Sequence, residues 1–500
     1  VGARDSAFTG AWSGAAGLSF RKGQSGGSSG NTSVAVSGAV GVNDIDNEIT
    51  AFVKNSTING AKDIDVTAVS GGTTIAAGLG ATLTSDSTGG KNYSGGASVS
   101  VNLIDKDVNA NMDGVTLTGV VEGEDEEQKN VTNIDVTAYE SDVQITGGVR
   151  ADIATGGGSL VGGGVTVADI HNNINAGITG GSYTDVNDVT VKGMLATTQV
   201  TAAVSAGVAT GGSGTNNAFS GAAVYNGLSN DIHASIDGAN IIAEGTVAVA
   251  AKDTEAGLKE AEPYQNLLSD YTEHNQFATD RGIDTSGSSF YEDLDTAGES
   301  VDYDRNGSTI VGAAVVATGS NGNAAGAAIN IADIDNDFTA SVNNASVTAD
   351  DVLAEADADT LLVGAAGGVA AGTKTFGGMG SVTWQDIDND VTAQFVNSQI
   401  TTNAVTAKAD NNTQAINVAG SVSVGKSAAV GATLAYNALD NTIGAYMKGN
   451  SIKALGDDVD VVVDADNTGK VYGIGAGVSA STKAAINGSV AVNRGGSNTE

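Results

Sequence analysis

A chain of 500 residues with 71 glycines, one proline, no cysteine and 4% aromatic residues does not have the composition of several ordinary globular domains. The single proline excludes collagen and Pro-rich linkers, and the lack of cysteine excludes disulfide stapling and thiolate chemistry. With 58 acidic against 22 basic residues the formal charge is −36, so nucleic acid is not an expected partner. No run of about 18 uncharged apolar residues is present either, so no membrane insertion is expected within this segment.

In chain order, residues 7–20 read as a Gly/Ala-rich strand pair, so 1–30 is expected to be the end of a preceding repeat. From 31 onward one motif recurs: a small apolar strand, then Asp or Asn, an aliphatic residue, and an acidic or Asn pair. It stands as Asp44-Ile45-Asp46-Asn47, Asp333-Ile334-Asp335-Asn336 and Asp386-Ile387-Asp388-Asn389. Looser copies centre on Ile104, Ile170, Leu228 and Leu439. The last two intervals, 334 to 387 and 387 to 439, set a period near 52 residues; larger intervals imply insertions.

Each motif is followed by a turn rich in Asn and Gly, such as Asn55-Ser56, Asp237-Gly238 or Asn397-Ser398, where the chain changes direction. About 19 residues after most of the motifs, and 30 after the second, where the acidic run 122–127 intervenes, comes an alternating segment such as Ile64-Asp65-Val66-Thr67-Ala68, the mark of a strand buried on one face. Two Gly/Ala-rich strands, exemplified by 418–424 and 428–434, complete the unit, giving four or five short strands per repeat. The expected fold is all-β: an elongated parallel β-solenoid whose units cover each other's apolar faces. The 19-residue offset matches one coil of a small β-helix, so each repeat is expected to form two or three coils. Turns such as Gly425-Lys426-Ser427 leave an antiparallel arrangement open.

Solenoid repeats are thus expected over 31–252 and 309–500. Between them, 253–308 is an acidic insertion with 14 carboxylates, the only proline (Pro263) and four of the 11 tyrosines. Tyr264, Tyr271, Tyr291 and Tyr303 are candidate partner contacts, since long excursions from a rigid scaffold often carry binding residues and Tyr is favoured at interfaces.

Stacked repeats would place Asp46, Asp335, Asp388 and Asp440 in a row, a candidate calcium ladder of carboxylate oxygens. The competing reading, which the lack of any established calcium-loop motif favours, has these Asp and Asn residues closing turns. No other cofactor is expected. His171, His233 and His274 fall in different repeats without zinc-ligand spacing. Trp12 and Trp384, in Gly-rich strands, are expected to fill a wide part of the core or a solenoid end. Basic residues are too scattered to hold an anionic sugar in a cleft, so no enzymatic activity is expected.

The order seen in 40–68 and 381–409, an apolar strand, Ile-Asp-Asn, Thr-Ala, Asn-Ser-x-Ile and an alternating Val strand, resembles the repeat region of leukotoxin-like filamentous adhesins. These are large bacterial surface proteins of the two-partner secretion and autotransporter kind. The resemblance covers most of 30–500 apart from the insertion. It implies a right-handed β-helix, an extracellular or bacterial cell-surface location, and attachment to a host or neighbouring-cell surface protein or glycan. The alternative is a subunit of a self-assembling extracellular filament or sheath, whose partners are copies of itself.

Overall fold

The seven copies of the acidic motif lie side by side. In the computed structural model, which describes residues 1–21, 32–86, 91–122, 129–211, 216–253 and 307–499, Ile45 pairs with Ile104, then Ile170, Leu228, Ile334, Ile387 and Leu439 on successive strands. Each repeat is therefore one coil, and the protein is an all-β parallel β-solenoid without helix among the described residues.

A coil consists of two long strands and one short one. The first long strand, for example Phe376–Val396, lies in an eight-stranded sheet (sheet I). A corner leads to a short strand, Gln399–Thr402, and a second corner to another long strand, Ala404–Gly425; both belong to sheet II. A turn at 426–427 then returns the chain to sheet I. Every pairing within the two sheets is parallel.

Two expectations are corrected here. The 19-residue offset spans the path from mid-sheet I to the start of sheet II, which is less than half a coil, so the two or three coils per repeat reduce to one. The several short strands are halves of long ones: Gly-rich stretches that read as breaks lie inside continuous 20- to 24-residue strands. Turns of the Gly-Lys-Ser type join the two sheets and make no antiparallel hairpin.

The first corner is set by backbone conformation. Asn55, Gly114, Gly180, Gly238, Asn344, Asn397 and Gly449 stack there with φ between 47° and 71°. Only Gly and Asn enter that left-handed region at little cost, so the alternation of these two residues down the column is a steric requirement.

The coil tapers. At its wide end the second half of sheet I, the short strands and the start of sheet II enclose Ile, Val and the large side chains Met112, Tyr183, Phe338 and Phe395, all fully buried. Midway, the Ile45-to-Leu439 column forms its own apolar core with Ile310 and Leu362. Beyond it the sheets converge until backbones touch. A methyl group added at Gly78 would lie 2.9 Å from the Val99 carbonyl across the interior, and one at Gly475 would lie 3.0 Å from that of Val490. Inward positions in this narrow half are accordingly mostly Gly, Ala, Ser, Thr and Asn, with Leu160, Val224, Val316 and Met379 among the exceptions.

Amide columns flank the Ile column. Asn172 Nδ2 donates to Asn230 Oδ1 (2.9 Å), Asn230 to Asn336 (2.7 Å), Asn336 to Asn389 (2.7 Å) and Asn389 to Asn441 (3.2 Å). Asn43 donates to Asn102 (2.8 Å) in the parallel column two residues earlier. A primary amide both donates and accepts along the stacking direction, so identical residues satisfy each other when the coils are in register.

The insertion leaves and re-enters at one point. Thr246–Asp253 and Ser308–Ser320 occupy successive parts of a single strand position between the same neighbours in sheet II. Ser308 Oγ donates to Asp253 Oδ1 at 3.0 Å across the gap. Tyr264, Tyr271, Tyr291 and Tyr303 lie outside the described residues.

Asn336→Ala should lower stability by about 2 kcal/mol, because it strands one buried donor and one buried acceptor of the ladder. Urea unfolding followed by far-ultraviolet circular dichroism measures this, and an unchanged midpoint would remove the ladder from the account.

Candidate functional site

The outer face of sheet I divides sharply across the strands. In the narrow half, five successive outward positions on each of the eight strands carry no charge; in Phe376–Val396 these are Phe376, Gly378, Gly380, Val382 and Trp384. The next three outward positions form an acidic band that is complete on three strands, those of Asp46, Asp335 and Asp388, and interrupted on the others, as by His171, Gly227, Ala438 and Arg494. Asp386, Asp388 and Asp390 stand beside Asp333, Asp335 and Asp337 on the neighbouring strand.

Asp46, Asp335, Asp388 and Asp440 share one column of this band, with Asp105, His171 and Ser229 between Asp46 and Asp335. All four are exposed and lie in the middle of long strands. The turn-closing reading of the motif is thereby corrected: its Asp residues point outward from a flat sheet, and its Asn residues point inward to the ladder.

Crowding perturbs the band. Asp333 is raised above the usual carboxylate range by partial burial and by Asp386, Asp335 and Asp169. Asp388 is raised by partial burial and by Asp390, Asp335, Asp440 and Asp386. Tyr225, just inside the apolar half, is raised by burial, Asp169 and Asp333.

A mixed cluster lies at the band's margin. Asp231 and His233 are two residues apart on one strand, and Asp337 pairs with Asp231 on the next. Their ligand atoms lie within 4.8 Å of one another, and His233 Nε2 is 2.5 Å from Asp231 Oδ1. One imidazole and two carboxylates form a donor set able to hold a divalent metal. The sequence hid this group because its members are 104 residues apart across a register that only the structure reveals; the local signal was the Asp-x-His spacing within one outward face.

Trp384 is 41% and Trp12 68% exposed, so neither fills the core as expected. Both point outward from the narrow half, where the interior has no space for an indole. Trp384 stacks on Tyr436 of the next coil, ring centroids 4.0 Å apart.

A further set of charges is buried inside the early coils. Lys106 takes the ladder position and reaches Glu140 (2.8 Å) and Asp142 (2.6 Å) on the facing sheet. Arg150 is fully buried, paired with Asp152 at 2.5 Å and donating to Ser37 Oγ at 2.6 Å. Burial and the adjacent Asp142 push Glu140 from its ordinary 4.5 up to about 8 against the pull of Lys106. Burial opposes the Lys106 charge, but Glu140 and Asp142 outweigh it, and the ammonium is held above its usual value. One ammonium thus serves two carboxylates, and Glu140 is held well above the usual carboxylate range. Asp357 is pushed up to about 6 by burial, with Lys252 opposing and Asp410 and Glu355 assisting. Asp253, at the root of the insertion, is raised well above its ordinary value, chiefly by burial.

No family model, curated protein or solved structure matches the chain.

Two outcomes follow from these charges. The raised carboxylates bind protons more tightly in the folded state, so their contribution is fullest below their ordinary values. It is lost as pH rises through roughly 4 to 8, the window set by Asp357 and Glu140. The urea midpoint should therefore be higher at pH 5 than at pH 8, and Glu140→Gln should flatten the upper part of that slope; a midpoint rising with pH would contradict the assignment. Calcium titrated calorimetrically onto the chain should bind weakly, at many sites and with strong salt dependence. A flat carboxylate band offers oxygens from one side only, whereas a tight site surrounds the ion with six to eight. A stoichiometric, salt-resistant isotherm would instead mark a dedicated site.

Proposed function

We propose that this chain is a structural segment of a large secreted or surface-exposed bacterial protein, a non-catalytic shaft of the adhesin kind. It would carry binding segments on a rigid stack of coils and mediate attachment to a cell-surface protein or glycan. The observation that supports this best is the register: all seven motif copies fall in one column, so neighbouring coils share continuous ladders and a continuous core. Such a stack transmits position from coil to coil, and loops at its surface are held in fixed relation.

The geometry refines the image of a thin rod. Eight strands spaced ~4.8 Å apart extend roughly 35–40 Å along the axis, while strands of some 21 residues rising ~3.3 Å each extend roughly 70 Å across it. Each coil thus adds breadth and little length. The segment is a blade, and the reach of a complete shaft of this kind would come from many coils.

Attachment would depend on the insertion between Asp253 and Ser308, whose two ends meet in one strand. Surfaces coated with the protein should retain target cells, and deletion of 254–306 should abolish retention while leaving the β-sheet circular dichroism unchanged. Equal retention by the deleted chain would move the contact elsewhere, and no retention by either would refute the adhesive role.

A further inference from the structure

The narrow half of the coil is inverted relative to an ordinary sheet. Its inward positions are small or polar, as in Ser98, Ser100 and Asn102, while the outward positions beside them are Ala97, Val99 and Val101. The same holds on neighbouring strands, where Val40, Val165, Ile329 and Val430 are exposed. The apolar side chains here are left in contact with water, which is unfavourable over so large an area unless something covers them.

We propose that a second copy of this chain covers the narrow half of sheet I, face to face, about a two-fold axis that runs along the stack. Three observations select this occupant. The first is area. Eight strands at ~4.8 Å and ten residues at ~3.3 Å give roughly 1,200 Å² per copy, hence about 2,400 Å² in all, above the ~1,600 Å² of a standard stable interface.

The second is shape. The middle outward column is entirely Gly or Ala: Gly38, Ala97, Gly163 and Gly221 in the first four coils, and the same two residue types in the rest. A ridge of larger side chains, among them Val40, Val99, Val165, Ile329 and Val382, rises on the side toward the acidic band and is interrupted at Ala223, while the column on the other side is broken by Gly95, Ala325 and Gly378. A valley beside a ridge is self-complementary when a two-fold axis passes between the two columns, since each copy's ridge then enters the other's valley.

The third is charge. In the sixth coil the axis falls between Gly380 and Val382; Lys374 lies seven residues before it and Asp388 seven after. Such an axis reverses strand direction and keeps coil facing coil, so the exposed turn bearing Lys374 falls on the Asp388 column of the partner. In the seventh coil the same axis sets Lys426 against Asp440. The other face-to-face arrangement, with strand directions matched, would set one acidic band against the other in a chain of charge −36. The proposal stands independently of the adhesive role.

Sedimentation velocity of the whole chain at micromolar concentration should report twice the 49.1 kDa of one copy. The double substitution Ile329→Asp with Val382→Asp changes only outward side chains; it should give a monomer with unaltered circular dichroism. Lys374→Glu should weaken the dimer about tenfold at low salt, about 1.4 kcal/mol. Adding Asp388→Lys to that variant should restore it, a rescue that a merely structural role would not give. A monomer at every concentration would overturn the proposal. So would a dimer indifferent to the double substitution, or a charge reversal that fails to be rescued. Flotation of the monomeric chain with uncharged phosphatidylcholine vesicles would also overturn it, by assigning the face to lipid.

Discussion

Two sheets that converge to backbone contact leave little room between them for large side chains, and the rest of this structure is arranged around that limit. Where the sheets stand apart, Phe338, Phe395 and Met112 fill the gap and the coil has a conventional core. Where they meet, the interior is mostly glycine, alanine and short polar groups, with a few larger side chains such as Leu160, Val224, Val316 and Met379 in small clusters, and most valines and isoleucines of the same strands turn outward. Cohesion in the narrow half therefore comes from hydrogen bonding along the stack more than from burial across it. On the narrow side of the Ile column, Asn43 with Asn102 and Asn437 with Asn493 do this with side chains as the ladders do with backbone.

The ladder also explains where the stack departs from its own rule. In the second coil Lys106 replaces the amide and cannot accept a hydrogen bond, so the facing strand supplies Glu140 and Asp142. Breaking such a buried set by removing one partner costs on the order of 3–5 kcal/mol, because the remaining charge is left without compensation. Among the described residues Lys106 and Arg150 are buried together with carboxylate partners, while on the outer face carboxylates accumulate in the acidic band.

The sequence made the repeat and the fold class legible because the period survives in residues with a steric or hydrogen-bonding duty. The corner Gly and Asn positions need left-handed backbone, and the motif Asn builds the ladder, so both recur in every complete coil or nearly so. The size of the coil was not legible. Gly-rich stretches inside long strands look like turns, and the 19-residue spacing from Ile45 to Ile64 happens to equal a whole coil of a smaller solenoid. The outward placement of Trp384 was hidden for a related reason: alternation shows that two faces exist but not which is inside, and here polarity gave the wrong sign. The grouping of Asp231, His233 and Asp337 depends on register across an insertion and could not be found by local spacing.

The strand that closes over the insertion separates two kinds of change. Because Asp253 and Ser308 are held by the same neighbouring strands, lengthening the detour between them adds only a slowly growing entropic cost and leaves every ladder in place. A scaffold of this kind can exchange one protruding segment for another of different length and chemistry while its own folding remains unaltered, so recognition can diversify on a frame that stays constant.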